Sequence, residues 1–179
     1  MLVPLVESSR PTWQRWGKGI MVDVLTPQQR RYNMQRVRGR NTKPEMLLRQ
    51  GLHARGFRYR LHQKTLPGRP DLVLPKYRAV IFVHGCFWHG HDCPLFKWPA
   101  TRQEFWRKKI EGNRVRDARA IEALRAAGWR VLIIWECAIR GSRRHPPSTV
   151  MDWAEQFLIG CTRDLAQISS RGADTTSVP

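Results

Sequence analysis

A short segment rich in cysteine and histidine constrains the fold of this chain more than any other feature of its sequence. Cys86, His89, His91 and Cys93 stand within eight residues, and Cys137 follows much later, at the end of a predicted apolar strand. Tetrahedral zinc takes Cys and His ligands, and a structural site is closed, whereas a histidine used in chemistry stays off the metal. We therefore expect Cys86, His91, Cys93 and Cys137 to bind structural zinc; the alternative is a set of unrelated buried cysteines and surface histidines.

The net charge indicates a polyanionic partner. The 32 Lys and Arg against 14 Asp and Glu give +18, a surplus of the sign that attracts phosphate backbones or anionic membrane surfaces. The sequence has no run of about 18 apolar residues, so we predict no membrane span. The first residues also lack the pattern of a secretory signal. We expect a cytoplasmic protein, whose cysteines are reduced and suit a metal better than a disulfide.

The length suits one domain, which we place at residues 21–160. Residues 1–20 show no periodicity and are predicted to be a disordered extension or a mis-assigned start, with Met21 as the alternative to Met1. Residues 161–179 are polar towards the end and are predicted to form a disordered tail.

Hydrophobic periodicity, helix caps and chain breakers predict an α/β (α+β) fold with a central mixed sheet flanked by helices. The predicted helices are 27–38, 42–56, 101–127 and 148–159, and the predicted strands are 57–61, 72–74, 79–83 and 129–135. The first helix is strongly basic, as a helix in contact with nucleic acid would be.

A second motif adds a carboxylate and a histidine to this sheet. The segment Leu66 to Asp71, LPGRPD, leads into a predicted strand, and the next strand ends at His84. The arrangement resembles the restriction-endonuclease-like nucleases, in which a Pro-Asp on one strand and groups on the next hold Mg²⁺ against the scissile phosphate.

Two longer stretches sharpen this resemblance. LPGRPDLVLPKYRAVIFVHGCFWHGHDCPLFKWPATRQEFW, followed by GWRVLIIWECAIRG, resembles the very short patch repair (Vsr) mismatch endonucleases, and the likeness runs from about Leu25 to Gly141. Members of this family nick DNA 5′ to the thymine of T:G mismatches that arise when 5-methylcytosine deaminates, and a polymerase then repairs the nick. The resemblance therefore implies a mismatch-specific nicking endonuclease. It implies a bacterial cytoplasmic protein that lies on the nucleoid when bound to DNA. The implied partners are mismatched duplex DNA and repair proteins.

The resemblance also implies roles for individual residues. Asp71 would bind Mg²⁺ together with the backbone carbonyl of Val83, and His89 would be the general base on the attacking water. His84 and Glu45 would support the phosphate and the metal-bound waters. Asp117 would orient His89, although an ordinary exposed helix aspartate is an equal alternative.

Aromatic side chains near the Cys and His residues are candidates for mismatch recognition. In the family, residues matching Phe87, Trp88 and Trp106 enter from the major groove, and the N-terminal helix probes the minor groove, where Met34 and Val37 would lie. A mismatched step costs less to unstack than a paired one, so wedging between bases supplies some selectivity. The alternative is that these aromatics belong to the core.

Two other functions remain open at this point. One is a restriction-type endonuclease that cuts a fully paired site, and the other is a zinc-dependent nucleic-acid-binding module without catalysis. The aromatic wedge disfavours the first, because enzymes of paired sites read base edges by hydrogen bonds. A carboxylate and two histidines around one strand end disfavour the second. Because a single nick needs one active site, we expect a monomer; the methylated sequence context stays open.

Overall fold

The computed structural model describes residues 26, 28–29, 31–32, 39–160 and 163–174, which form a mixed α/β fold with one six-stranded sheet. The helices are α1 (Lys43–Ala54), α2 (Gln103–Ala126), α3 (Glu136–Ile139) and α4 (Pro147–Gly160). The strands are β1 (Arg60–Leu61), β2 (Leu72–Leu74), β3 (Ala79–His84), β4 (Arg130–Trp135), β5 (Leu165–Ser169) and β6 (Gly172–Asp174). A 3₁₀ turn, Pro75–Tyr77, joins β2 to β3.

The strands lie in sequence order across the sheet, and their directions are mixed. β1, β2 and β3 pair antiparallel, β3, β4 and β5 pair parallel, and β6 returns antiparallel to β5. The parallel pair β3–β4 needs a long crossover, which α2 supplies. The predicted mixed sheet flanked by helices is therefore confirmed.

Both faces of the sheet are covered, which explains the continuous apolar runs of β3 and β4. Side chains alternate: Leu132 and Ile134 pack on one face with α1 and α4, while Val131 and Ile133 pack on the other with α2. Gly51 lets α1 approach α4 closely, because a Cβ atom there would lie 2.5 Å from the sulfur of Met151.

Helix starts follow the capping signals of the sequence. Thr42 Oγ1 accepts a hydrogen bond from the Glu45 N–H and the Glu45 carboxylate accepts one from the Thr42 N–H, each at 3.4 Å, so a capping box begins α1. Thr26 and Gln29 exchange the same pair of hydrogen bonds, at 3.2 and 2.9 Å. Of the helix predicted there, Met34 and Val37 lie outside the described residues.

The predicted disordered tail is wrong for residues 165–174. β5 lies against β4 inside the sheet, with Leu165, Ala166 and Ile168 buried, and β6 forms the sheet edge. The domain therefore continues beyond residue 160. Periodicity did not reveal β5, because the strand is short and its pairing partner lies more than thirty residues earlier.

The described residues contain no helix long and apolar enough to cross a membrane.

Candidate active site and metal centre

Asp71 lies where two neighbouring strands meet. It immediately precedes β2, and because β2 and β3 are antiparallel it faces the end of β3, where Val83 donates its backbone N–H to Asp71 Oδ2 at 2.7 Å. This hydrogen bond fixes one carboxylate oxygen. The Asp71 side chain is only 20% exposed, so the second oxygen is held in a confined space.

Two other ionisable side chains surround this carboxylate. Glu45 on α1 is buried, and His62 lies between the two acids, with its Nε2 atom 3.2 Å from Glu45 Oε1 and its Nδ1 atom 3.8 Å from Asp71 Oδ1. Burial, and to a lesser extent the charge of Glu45, raises the pKa of Asp71 to about 6. The three side chains can hold a metal ion, and a divalent cation would favour the ionised form that burial disfavours.

A pair of histidines adjoins this group. His84, the last residue of β3, stacks on His89 with ring centroids 3.9 Å apart and planes 4° apart. His89 Nδ1 lies 2.5 Å from Asp117 Oδ2 on α2. A carboxylate at Nδ1 keeps the proton on that nitrogen, so Nε2 is free to accept one, which is the tautomer that a general base needs.

The two histidines differ in their surroundings. Burial, together with the neighbouring His89, lowers the pKa of His84 to about 3, so its ring is neutral at physiological pH. His84 Nδ1 is buried and has no hydrogen-bond partner among the described residues. His89 is close enough to Asp71 for its charge to lower the pKa of that carboxyl, so the histidine pair and the carboxylate group belong to one site.

The Cys and His segment folds as a compact cluster, and Trp135 contacts both His91 of this cluster and His84. Cys86, His91, Cys93 and Cys137 each offer a ligand atom within 4.8 Å of the others, a set that can hold a metal ion. The thiol of Cys86, His91 and the Ser170 N–H all contact the Cys137 sulfur and lower the pKa of Cys137. They favour the thiolate, which is the form that binds metals.

The three candidate wedge residues contact one another. Phe87 lies 5.1 Å from Trp106 and 5.2 Å from Trp88, measured between ring centroids, and all three side chains are half-buried rather than in the core. A cleft lined by His84, Trp88 and His89, among other residues, connects Trp88 with the histidine pair.

Sequence reasoning missed two features of this region. His62 was assigned no role from the sequence. It follows β1 directly, and the antiparallel pairing of β1 with β2 brings it close to Asp71, the residue before β2. Exposed Trp98 and Phe105 extend the aromatic surface, with Arg107 and Arg102 over their rings. The interleaving of cations and aromatics in KWPATRQEFWRKK was the available signal.

Comparison with known proteins gives the family. The family described as DNA mismatch endonuclease Vsr matches residues 22–95. The DNA mismatch endonuclease Vsr of Escherichia coli is 45% identical over 152 residues, which cover 85% of this chain and 97% of that protein. Type II nicking enzyme V.XorIIP of Xanthomonas oryzae pv. oryzae is 54% identical over 119 residues, 66% of this chain and 88% of that protein. V.NmeAIP of Neisseria meningitidis, also a type II nicking enzyme, is 41% identical over 120 residues, 67% of this chain and 86% of that protein.

The chain therefore belongs to the Vsr family of DNA mismatch endonucleases, and the resemblance drawn from the sequence is confirmed. The family is one of DNA nucleases, a class that uses a divalent metal.

We expect Asp71→Asn to stabilise the protein in magnesium-free buffer. The pKa of Asp71 is raised from 3.8 to about 6 in the folded state, so ionisation of this carboxyl opposes folding, whereas asparagine keeps the oxygen that accepts from Val83. The gain should be absent below about pH 4, where the carboxyl is protonated in both states. It should grow between about pH 4 and 6 and reach about 3 kcal/mol in the free energy of unfolding at neutral pH.

Urea unfolding followed by circular dichroism at several pH values measures this gain. Asp152→Asn is the matched control, because that carboxylate is 63% exposed and its loss should give no such increase. A less stable Asp71→Asn protein at neutral pH would show that the carboxylate stabilises the fold.

Proposed function

We propose that this protein is a magnesium-dependent endonuclease that nicks one DNA strand 5′ to the thymine of a T:G mismatch left by deamination of 5-methylcytosine. The observation that carries this proposal is a shared cleft: Val83, which hydrogen-bonds Asp71, lines it together with His89, whose ring is in turn oriented by Asp117. A metal-binding carboxylate next to a correctly protonated base is what hydrolysis of a phosphodiester requires.

The chain supplies the parts of this reaction from separate elements. Asp71 and the backbone carbonyl of Val83 would bind magnesium, with Glu45 supporting its bound waters. When bound, magnesium polarises the scissile phosphate and stabilises the leaving oxygen. The buried carboxylates and the confined space around them fit a divalent cation, since they concentrate negative charge where water is scarce.

Proton transfer would fall to His89. Its Nε2 atom would accept a proton from the attacking water while Asp117 stabilises the imidazolium that forms. His84 is neutral and stacked on His89, so it would position the base and donate or accept a hydrogen bond at the phosphate without adding charge. The mixed sheet with Asp71 at the meeting point of β2 and β3 supports a restriction-endonuclease-like fold.

We assign zinc to the cluster of Cys86, His91, Cys93 and Cys137. Three sulfur atoms and one imidazole nitrogen are the donor set of a closed structural zinc site. The cluster joins the loop after β3 to the start of α3, and would hold that loop in place.

Mismatch recognition would use Phe87, Trp88 and Trp106. Their mutual contacts make a continuous aromatic surface, Trp88 lines the same cleft as His84 and His89, and the net charge of +18 suits binding to duplex DNA. A single nick requires one active site, so the protein would act as a monomer and leave the nick to a repair polymerase.

The decisive measurement compares end-labelled duplexes that carry one T:G pair or the corresponding C:G pair. A panel of flanking sequences is needed because the methylated context is set by base contacts. We expect a magnesium-dependent nick 5′ to the mismatched thymine, reduced about 10³-fold or more in Asp71→Asn, because metal stabilisation of the transition state is worth several kcal/mol.

Asp152→Asn serves as the control and should nick as the wild type does. Equal cutting of both duplexes would contradict mismatch specificity and would favour the restriction-type endonuclease. Binding without cutting in every context would leave only a DNA-binding module.

Replacing Cys137 with serine should remove about one equivalent of zinc and lower the melting temperature, because metal binding and folding are coupled. Cys161→Ser, which changes a cysteine that is not among the four proposed ligands, should leave both unchanged. Elemental analysis and thermal unfolding measure the two effects. Full zinc content and an unchanged melting temperature in Cys137→Ser would remove Cys137 from the ligand set.

Phe87→Ala should weaken nicking of T:G duplex about 10- to 100-fold, while binding to paired DNA changes little, since stacking of an aromatic ring on a base is worth about 1–3 kcal/mol. Phe57→Ala is the control for packing: Phe57 is buried in the core, so its loss should lower the melting temperature and leave the preference for mismatched DNA intact. If Phe87→Ala behaves like the control, Phe87 is a packing residue.

A further inference from the structure

His62 is the unassigned side chain closest to the proposed magnesium site. Its ring lies between two carboxylates, 3.2 Å from Glu45 Oε1 through Nε2 and 3.8 Å from Asp71 Oδ1 through Nδ1. Glu45, His62 and Asp71 each offer one ligand atom, and these atoms lie within 4.8 Å of one another. Side chains around one divalent ion are spaced on this scale, because metal–ligand bonds to oxygen and nitrogen are about 2 Å long.

The ring nitrogen nearest Glu45 is buried but unsatisfied. His62 Nε2 has no hydrogen-bond partner among the described residues; although Glu45 Oε1 is only 3.2 Å away, the two atoms lack the alignment of a hydrogen bond. A buried polar atom without a partner is costly, and binding a metal ion is one way in which such an atom is satisfied.

The backbone holds this ring in place at some cost. His62 has φ of 47°, in the left-handed region that non-glycine residues rarely adopt, and its N–H donates to the Asp71 carbonyl at 3.4 Å. The conformation turns the residue after β1 back towards the start of β2. Strained residues of this kind concentrate at functional sites.

We propose that His62 is a direct ligand of the catalytic metal, so that the site offers an imidazole nitrogen beside the carboxylates of Asp71 and Glu45. This inference rests on the proposed function, since it concerns the ion of the same site. An imidazole ligand suits transition metals, whereas a site made only of oxygen ligands suits magnesium. The protein should therefore bind Mn²⁺ more tightly, relative to Mg²⁺, than the same site without His62.

The test uses the full-length protein, labelled with ¹⁵N-histidine, bound to a T:G duplex and loaded with Mn²⁺. In pulsed electron paramagnetic resonance, a large isotropic ¹⁵N coupling arises only when a histidine nitrogen is bonded to the manganese, whereas nearby unbonded nitrogens give weak dipolar couplings. We expect this coupling in the wild type and its loss in His62→Gln, with Mn²⁺ affinity lowered about 10- to 100-fold. His53→Gln, which replaces an exposed histidine of α1, should keep both.

Several results would overturn the proposal. They are the absence of Mn²⁺ binding by the wild type, bound Mn²⁺ without a histidine coupling, and a coupling that persists in His62→Gln. The labelled wild-type spectrum decides the question even if His62→Gln fails to fold. An imidazole that only bridges the two carboxylates would give bound Mn²⁺ without the coupling.

Failure of this inference is distinguishable from failure of the proposed function. Magnesium-dependent nicking at T:G pairs without a histidine coupling would retain the nickase and remove His62 from the ligands. A coupling that depends on His62 in a protein that does not nick T:G duplexes would retain the metal site and remove the assigned reaction.

Discussion

The parallel pairing of β3 with β4 is the constraint on which the rest of the structure depends. His84 lies opposite Trp135 in this register, so the two strands end at the same edge of the sheet. The segments that follow the two strands therefore begin close together. Cys86 follows β3 and Cys137 follows β4, so a pairing driven by burial of apolar residues on both faces also brings together the cysteine and histidine side chains that can hold a metal ion.

The histidine pair and the cysteine cluster share one loop, and a single glycine separates His89 from His91. Gly90 has φ of +60°, and a Cβ atom there would lie 2.7 Å from Ile110, so no other residue fits between His89 and His91 without strain. Trp135 fills the space between the sites: its ring stacks on His91 at 4.0 Å and meets His84 edge-on at 5.3 Å. Order in the cysteine cluster is thereby transmitted to the histidine pair.

Local signals predicted what local interactions determine. The capping box at Thr42 and the apolar run of β4 predicted the bounds of α1 and β4 closely. The spacing of cysteine and histidine around Cys86 predicted which side chains lie together in the cluster. The strand β5 escaped prediction because its stability comes from a partner far away in sequence. His62 escaped for the same reason, since the antiparallel pairing of β1 and β2, and not any motif, brings it beside Asp71.

The hairpin of β5 and β6 contacts the cysteine cluster and the loop that contains it. Ser170 donates its N–H to the Cys137 sulfur at 3.4 Å, and Arg171 pairs with Asp92 of the cysteine loop at 2.7 Å. These two contacts couple the stability of the hairpin to the order of the cysteine loop. Local opening of β5 and β6 would therefore also loosen the loop that carries His89.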